Sequence, residues 1–428
     1  MHEFKYRRNQ LYCENSKIED IAHRFGTPVY IYSYKTLLDH YVKLKRAFQS
    51  INPLICFSVK ANSSLAILRS LVNRGAGLDV VSGGELFRAL KAGCPAQKIV
   101  YASVGKTNEE IKKAIKLGIL FLNVESLSEL KNINRIAKLL RKKVRAAIRI
   151  NPDIAPATHK FITTGKITDK FGIDFKTAYN ILRHKGDFAC VDILGLHIHI
   201  GSQITESRPF IEAITRVAHF LEQLEKEKIR LEYFNIGGGL GIIYNNETPQ
   251  TAVDFARRVL PILKKTRLKI ILEPGRFIVG NAGILVVEVL YVKKTAKKKF
   301  AIVDGAMNDL IRPALYGAHH RIFPLRRTQA AGRKTRYDVV GPICESADFF
   351  AKARIMSGVR EGDLLAIMGC GAYGFSMSSN YNSRPRASEV LVIKDKFYVV
   401  RRRENYRHRK ASRCSCSCQS PLFSVSSD

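Results

Sequence analysis

The residues best suited to chemistry stand where apolar runs end. Lys60 closes the stretch Cys56-Phe57-Ser58-Val59-Lys60, and the Ala61-Asn62-Ser63-Ser64 that follows can turn the chain and cap a helix. An amine at the C-terminal end of a strand lies at the mouth of an α/β sheet, where such folds hold their reactive groups, so Lys60 is the candidate catalytic residue. In isolation the same residue also reads as a solvated lysine. His197 and His199, within Gly195-Leu196-His197-Ile198-His199-Ile200-Gly201-Ser202-Gln203, fall on one face of an extended segment. There they can ligate a metal or stack on a flat ring, while Gly201-Ser202 lets the backbone approach an anion.

Two further stretches complement these. Gly237-Gly238-Gly239-Leu240-Gly241 follows the apolar run 233–236, and consecutive glycines can aim their amides at a phosphate, although a tight turn needs glycine too. No acidic ribose partner is spaced as a dinucleotide fingerprint requires, and Gly105-Lys106-Thr107 lacks the first glycine of a nucleotide P-loop, whose place is taken by Val100. Glu273-Pro274-Gly275-Arg276 ends a very apolar run, and a carboxylate buried there calls for a cationic partner. Strand-end lysine, anion loop, histidine and buried carboxylate together suit a flat phosphorylated heteroaromatic aldehyde. That is pyridoxal 5′-phosphate, held as a lysine Schiff base with an acidic group at its ring nitrogen.

A scaffold must gather these strand ends on one rim. Short β-rich runs at 29–32, 54–59, 78–81, 99–102, 120–124, 145–150, 194–200, 233–236 and 269–272 alternate with stretches of helical spacing such as Ile67-Leu68-Leu71. The alternation predicts a parallel sheet, and the number of units predicts a closed (β/α)8 barrel over residues 28–280. After Gly280 the runs 284–292, 300–303, 337–340, 364–367 and 389–393 follow with helical character only at 309–315. This predicts a mainly antiparallel β-domain over 281–404, with residues 1–27 contributing. Residues 405–428 are basic and rich in Ser and Cys, and are expected to be disordered.

Composition narrows the class. The 428 residues are 46% hydrophobic and 25% charged, which excludes disordered and collagen-like chains. Lys+Arg 71 against Asp+Glu 37 gives +34, but the charge is scattered over helix faces, a loop at 293–299 and the tail, with no nucleic-acid motif, so it reads as solvated surface. No secretory leader opens the chain and no apolar run is long enough to span a membrane, so a cytoplasmic location is expected. Cysteines 13, 56, 94, 190, 344 and 370 read as dispersed reduced thiols. Cys414, Cys416 and Cys418 match no zinc spacing, and no metal is expected.

The motifs taken together resemble the diaminopimelate decarboxylases, among the alanine racemase-like and ornithine decarboxylase-like pyridoxal phosphate enzymes. The resemblance covers roughly residues 10–404. It rests on residues 57–62, on Gly75-Ala76-Gly77-Leu78-Asp79-Val80-Val81-Ser82-Gly83-Gly84-Glu85, on 199–203, 237–241 and 273–276, on Gly341-Pro342-Ile343-Cys344-Glu345-Ser346, and on Gly371-Ala372-Tyr373-Gly374. It implies that Lys60 forms the internal aldimine, that His199 stacks on the cofactor ring and that Glu273 pairs with the ring nitrogen. Ser202, Gly237, Gly238, Gly239, Gly275, Arg276 and Tyr373 would hold the phosphate. Arg276, Arg312, Tyr316 and Tyr373 would bind the distal end and carboxylates of meso-2,6-diaminopimelate, and Glu345 its distal amino group. Cys344 would donate the proton, entering with Glu345 from the partner subunit of an obligate homodimer. The implied reaction yields L-lysine and CO2, the last step of lysine biosynthesis. Glutamate at position 273 favours decarboxylation over racemisation, for which related enzymes place an arginine there. The Cys344-Glu345 pair and the two arginines favour diaminopimelate over ornithine, arginine or carboxynorspermidine. The chain departs from the resemblance after Glu404, where Asn405-Tyr406-Arg407-His408-Arg409-Lys410 leads into a Cys-Ser repeat that suggests a change of reading frame.

Overall fold

The computed structural model describes residues 2–154, 169–327 and 334–406. A small antiparallel sheet of β1 (Phe4–Arg7), β2 (Gln10–Cys13) and β3 (Ser16–Lys17) comes first, then β4 (Val29–Ser33). Eight parallel strands close into a barrel: β5 (Leu54–Ser58), β6 (Gly77–Val80), β7 (Ile99–Tyr101), β8 (Phe121–Val124), β9 (Val144–Arg149), β10 (Val191–His197), β11 (Tyr233–Asn235) and β12 (Lys269–Leu272). Closure is made by β12 on β5, with Ile271 opposite Leu54 and Leu272 opposite Ile55.

Helices return the chain between strands, and their starts are written locally. Thr107 and Glu110 form a reciprocal capping box, and Ser82, Ser126, Asp174 and Thr251 each accept a backbone N–H from the first turn they cap. Each such cap stabilises its helix by about 1 kcal/mol. No helix among the described residues is long and apolar enough to cross a membrane.

The barrel interior is divided in two. At the N-terminal end Cys56, Val100, Phe121, Ala147 and Ile271 form a buried apolar plug. Side chains two residues further along a strand point to the same face. Ser58, Asn123, Arg149 and Glu273 therefore stand directly above that plug, joined by Asp79, His197 and Asn235, and all seven are buried. An apolar floor carries a polar ring at the C-terminal rim.

The second sheet contains β13 (Gly283–Lys294), β14 (Lys299–Val303), β15 (Ile322–Pro324), β16 (Thr335–Val340), β17 (Phe349–Met356), β18 (Leu364–Ile367), β19 (Ser388–Ile393) and β20 (Lys396–Arg401). Its order is β17-β16-β14-β13-β4-β19-β20, with β18 also on β13 and β15 on β18. Pairing is mainly antiparallel; β14 with β16 and β4 with β19 are parallel. Residues 29–32, expected within the barrel rhythm, lie in this sheet instead. All five residues of β4 are buried, so its composition matches that of a barrel strand covered on both faces. The helix expected over 309–315 is Arg312–Tyr316, with Asp309 in the preceding turn. Residues 407–428, with the three tail cysteines and the expected disorder, lie outside the described residues.

Candidate active site

Strand β5 ends at Ser58, and a short 3-10 turn over Val59–Ala61 lifts Lys60 to the barrel rim. Lys60 Nζ donates to Asp79 Oδ2 at 3.0 Å. Ser58 Oγ lies 2.8 Å from the same carboxylate oxygen and 3.0 Å from the Glu273 carbonyl oxygen. Burial works against the ammonium charge, but the carboxylates of Asp79 and Glu273 outweigh it and hold the Lys60 pKa above the ordinary lysine value. Asp79 is pushed upward by burial and by Glu273, and its Oδ1 is buried without a hydrogen-bond partner.

Glu273 lies across the ring. Its Oε2 is 3.1 Å from His197 Nε2, while Oε1 accepts from Asn235 Nδ2 at 2.6 Å and Asn123 Nδ2 at 3.4 Å. Burial alone would raise this carboxyl; the His197 imidazole and the Lys60 ammonium reverse that and leave it well below the usual carboxylate range. The partner demanded by the sequence is thus an imidazole supported by two amides.

The two histidines separate. Strand β10 ends at His197, which turns to Glu273, and His199 lies beyond the strand end. His199 Nδ1 accepts from Gly238 N at 3.2 Å. Burial, with Lys60 and Arg149 nearby, lowers its pKa well below the ordinary histidine value, so the ring is neutral. Arg149 in turn bonds Glu125 Oε1 at 2.6 Å.

The glycine run has no room for side chains. A methyl group on Gly237 would strike the Ile198 carbonyl oxygen, one on Gly238 that of Glu273, and one on Gly239 that of Gly201; Gly237 and Gly239 also have positive φ of 70° and 111°. Beside this run Ser202 Oγ accepts from Arg276 Nε at 3.2 Å and Nη2 at 3.0 Å, leaving the serine proton free to be donated. The Arg276 guanidinium lies 4.8 Å from the Tyr373 ring centroid, and Tyr373 N donates to Ala61 O beside Lys60. Gly275 packs on Ala61 and Ser58.

Arg276 Nη1 donates to Tyr244 Oη at 2.7 Å, and the Arg312 guanidinium lies over the Tyr244 ring at 4.5 Å. Tyr316 closes the short helix that Arg312 opens. Cys344 and Glu345 are exposed on the loop between β16 and β17. Cys344 N donates to Asn382 Oδ1 and Glu345 Oε1 accepts from Ala347 N. Within one protomer these hydrogen bonds hold the two residues to that loop and to Asn382, while the other expected residues gather at the barrel rim. Sequence reasoning passed over Asp79, Asn123, Asn235, Tyr244 and His320. Asp79 stood inside the motif 75–85 and Asn235 directly before the glycine run, whereas Tyr244 and His320 carry no local signature.

Residues 35–280 match the family described as pyridoxal-dependent decarboxylase, pyridoxal binding domain. A diaminopimelate decarboxylase from Haemophilus influenzae is 46% identical over 405 residues, covering 94% of this chain and 97% of that one. The Aquifex aeolicus enzyme of the same name is 45% identical over 403 residues, 94% and 95% of the two chains. The chain belongs to the diaminopimelate decarboxylases. The crystal structure of the Helicobacter pylori diaminopimelate decarboxylase complexed with L-lysine superposes with a TM-score of 0.88 at 42% identity, covering 92% of this chain and 100% of that one. That of the M. jannaschii diaminopimelate decarboxylase in co-complex with L-lysine gives 0.91 at 36% identity, with 96% and 98% covered. Pyridoxal phosphate is the cofactor of such a decarboxylase, and the residues fit it. The rim offers a cradle that any Cβ would fill, a serine and a guanidinium for phosphate, an anionic carboxylate for a ring nitrogen, and a lysine opposite.

Proposed function

We propose that this decarboxylase converts meso-2,6-diaminopimelate to L-lysine and CO2 as a homodimer whose two sites are each completed by the partner. The observation that carries this reading is the strand-end Lys60 facing Asp79 on the same rim as a buried, anionic Glu273. Lys60 would hold the cofactor through its amine. Ser202, Gly237, Gly238, Gly239, Gly275, Arg276 and Tyr373 would hold its phosphate, His199 would lie on its ring, and Glu273 would pair with the ring nitrogen. When bound, pyridoxal 5′-phosphate supplies a protonated heteroaromatic ring that accepts the electron pair left as a carboxylate departs as CO2.

The chain's own groups divide the remaining work. Glu273, held anionic, favours the protonated state of the nitrogen it meets. Asp79 holds the Lys60 amine in place and, with its own carboxyl raised by burial and by Glu273, is the near base for the proton that the amine would shed on bonding to the cofactor. The neutral His199 ring is fixed by the Gly238 amide and would add no positive charge to a ring it lies on. Arg276, Arg312, Tyr316 and Tyr373 would orient the distal end of the substrate. Cys344 of the partner subunit would return a proton to the substrate carbon, and Glu345 of the partner subunit would receive the distal ammonium. Two buried guanidinium groups without a carboxylate bridge among the described residues support an anionic substrate end, because a buried cation needs a counter-charge.

The test is release of lysine and CO2 from meso-diaminopimelate with added pyridoxal phosphate, beside ornithine and arginine, with Lys60→Ala as control. Activity confined to diaminopimelate and lost in the control is expected. Turnover of ornithine at a comparable rate, or activity surviving in the control, overturns the reading.

A further inference from the structure

Behind the two guanidinium groups lies a residue that none of the proposed roles uses. His320 is fully buried, and its ring nitrogens have unlike partners: Nδ1 is 2.7 Å from the Met368 carbonyl oxygen and Nε2 is 2.8 Å from Arg312 Nη1. A carbonyl only accepts and a guanidinium only donates, so Nδ1 carries the proton and Nε2 is the acceptor. The tautomer is dictated by its neighbours. The ring also packs edge-on against Tyr244 at 5.2 Å, and Tyr244 in turn lies under Arg312 and bonds Arg276.

Arg312 is 6% exposed, and its Nε is buried with no hydrogen-bond partner. The bond from Nη1 to His320 and the face on Tyr244 fix the plane of the guanidinium, and its remaining N–H groups include a buried one that no protein group satisfies. A guanidinium held in one plane offers paired N–H groups, the geometry that grips a carboxylate with two bonds. We infer that His320 is a positioning residue that sets the orientation of Arg312, so that its guanidinium selects substrates with a distal carboxylate. The inference rests on the proposed reading of Arg312 as a carboxylate ligand and assigns the device that makes it selective.

The side-chain geometry supplies a discriminating set of variants. His320→Gln keeps an acceptor at the position of Nε2; His320→Asn keeps a donor near Nδ1 and loses that acceptor; His320→Leu loses both. Each is prepared as pyridoxal phosphate holoenzyme. KM and kcat are measured with meso-diaminopimelate, and binding is compared for L-lysine and for pentane-1,5-diamine, which lacks the carboxylate. His320→Asn and His320→Leu should raise KM about tenfold with kcat within about twofold, and shrink the preference for lysine over the diamine about tenfold, the scale of one misaligned charge-assisted hydrogen bond. His320→Gln should restore both. Gln as damaged as Leu, Asn equal to the parent, or a fall in kcat with KM unchanged would each overturn the assignment. Should the Leu variant fail to fold, the Gln and Asn pair still decides. Arg312→Met tests the foundation separately: a lysine preference that survives it removes the reading of Arg312, whereas a preference lost there but kept in His320→Asn removes only the role of His320.

Discussion

Replacing Gly239 by alanine tests the anion cradle at one atom. Its Cβ would sit 2.5 Å from the Gly201 carbonyl oxygen, with Ile204 and Phe210 side chains at 3.3 and 3.4 Å closing the other directions, and its φ is +111°. Real contacts of this kind begin at about 3 Å, so the Gly201 turn must retreat by at least about 0.5 Å, because φ strain of about 1–3 kcal/mol already discourages movement on the alanine side. Ser202 is the next residue. A retreat of that size carried on to Ser202 takes its 3.0 and 3.2 Å links to Arg276 to about 3.5 and 3.7 Å, so that at least one is lost. Loss of one charge-assisted bond in the cradle is worth about 1.5–3 kcal/mol, or roughly 10- to 150-fold in cofactor affinity. The assay is titration of apoenzyme with pyridoxal phosphate followed by absorbance, with Gly186→Ala, which meets nothing within 4 Å, as control. A Gly239→Ala enzyme that saturates at the parent's cofactor concentration would refute the cradle, whatever its melting temperature.

Glu273→Gln should bind cofactor yet lose about 10²-fold or more in kcat if Glu273 is the proposed anion opposite the ring nitrogen; a loss confined to KM contradicts this. Mixing Lys60→Ala with Cys344→Ala subunits and allowing exchange should restore about a quarter of parental activity, because random pairing makes half the dimers mixed and each mixed dimer has one intact site. No recovery on mixing, with exchange verified, rejects shared sites. Burial pushes the Asp309 carboxyl up to about 7, so the folded state keeps a proton that the unfolded chain releases near pH 4. Its contribution to stability is therefore full below about pH 4 and is lost as pH rises through about 7. Asp309→Asn should reduce the loss of stability between about pH 5 and pH 8 in urea titrations, and an unchanged slope would count against that sign.

Much of the rim was legible because strand ends announce themselves. Lys60, His199, the glycine run and Glu273 each follow an apolar run whose period ends there, and the structure gathers them as the sequence predicts. What local pattern does not encode is who faces whom. His197 and His199 look equivalent at a spacing of two, yet the strand stops between them, and only the register of β10 on β9 and β11 decides which turns to Glu273. His320 and Tyr244 were invisible for the same reason: their partners come from distant segments, and a histidine within Gly317-Ala318-His319-His320 offers no period to read. Strand β4 was misplaced because burial on both faces erases the alternation that distinguishes one sheet from another.

That strand also dictates an order of assembly. β4 leaves the ribosome before any barrel strand, but its neighbours are β13, made after the barrel is complete, and β19, whose Ser388 meets Val29. An apolar ribbon with two unpaired edges until β13 arrives, and one until β19 does, must wait beside a barrel that can already close by local contacts. Synthesis interrupted before residue 388 would leave one of those edges permanently open. The nascent chain therefore carries this aggregation-prone strand with two open edges while the barrel is made and with one until β19 is complete.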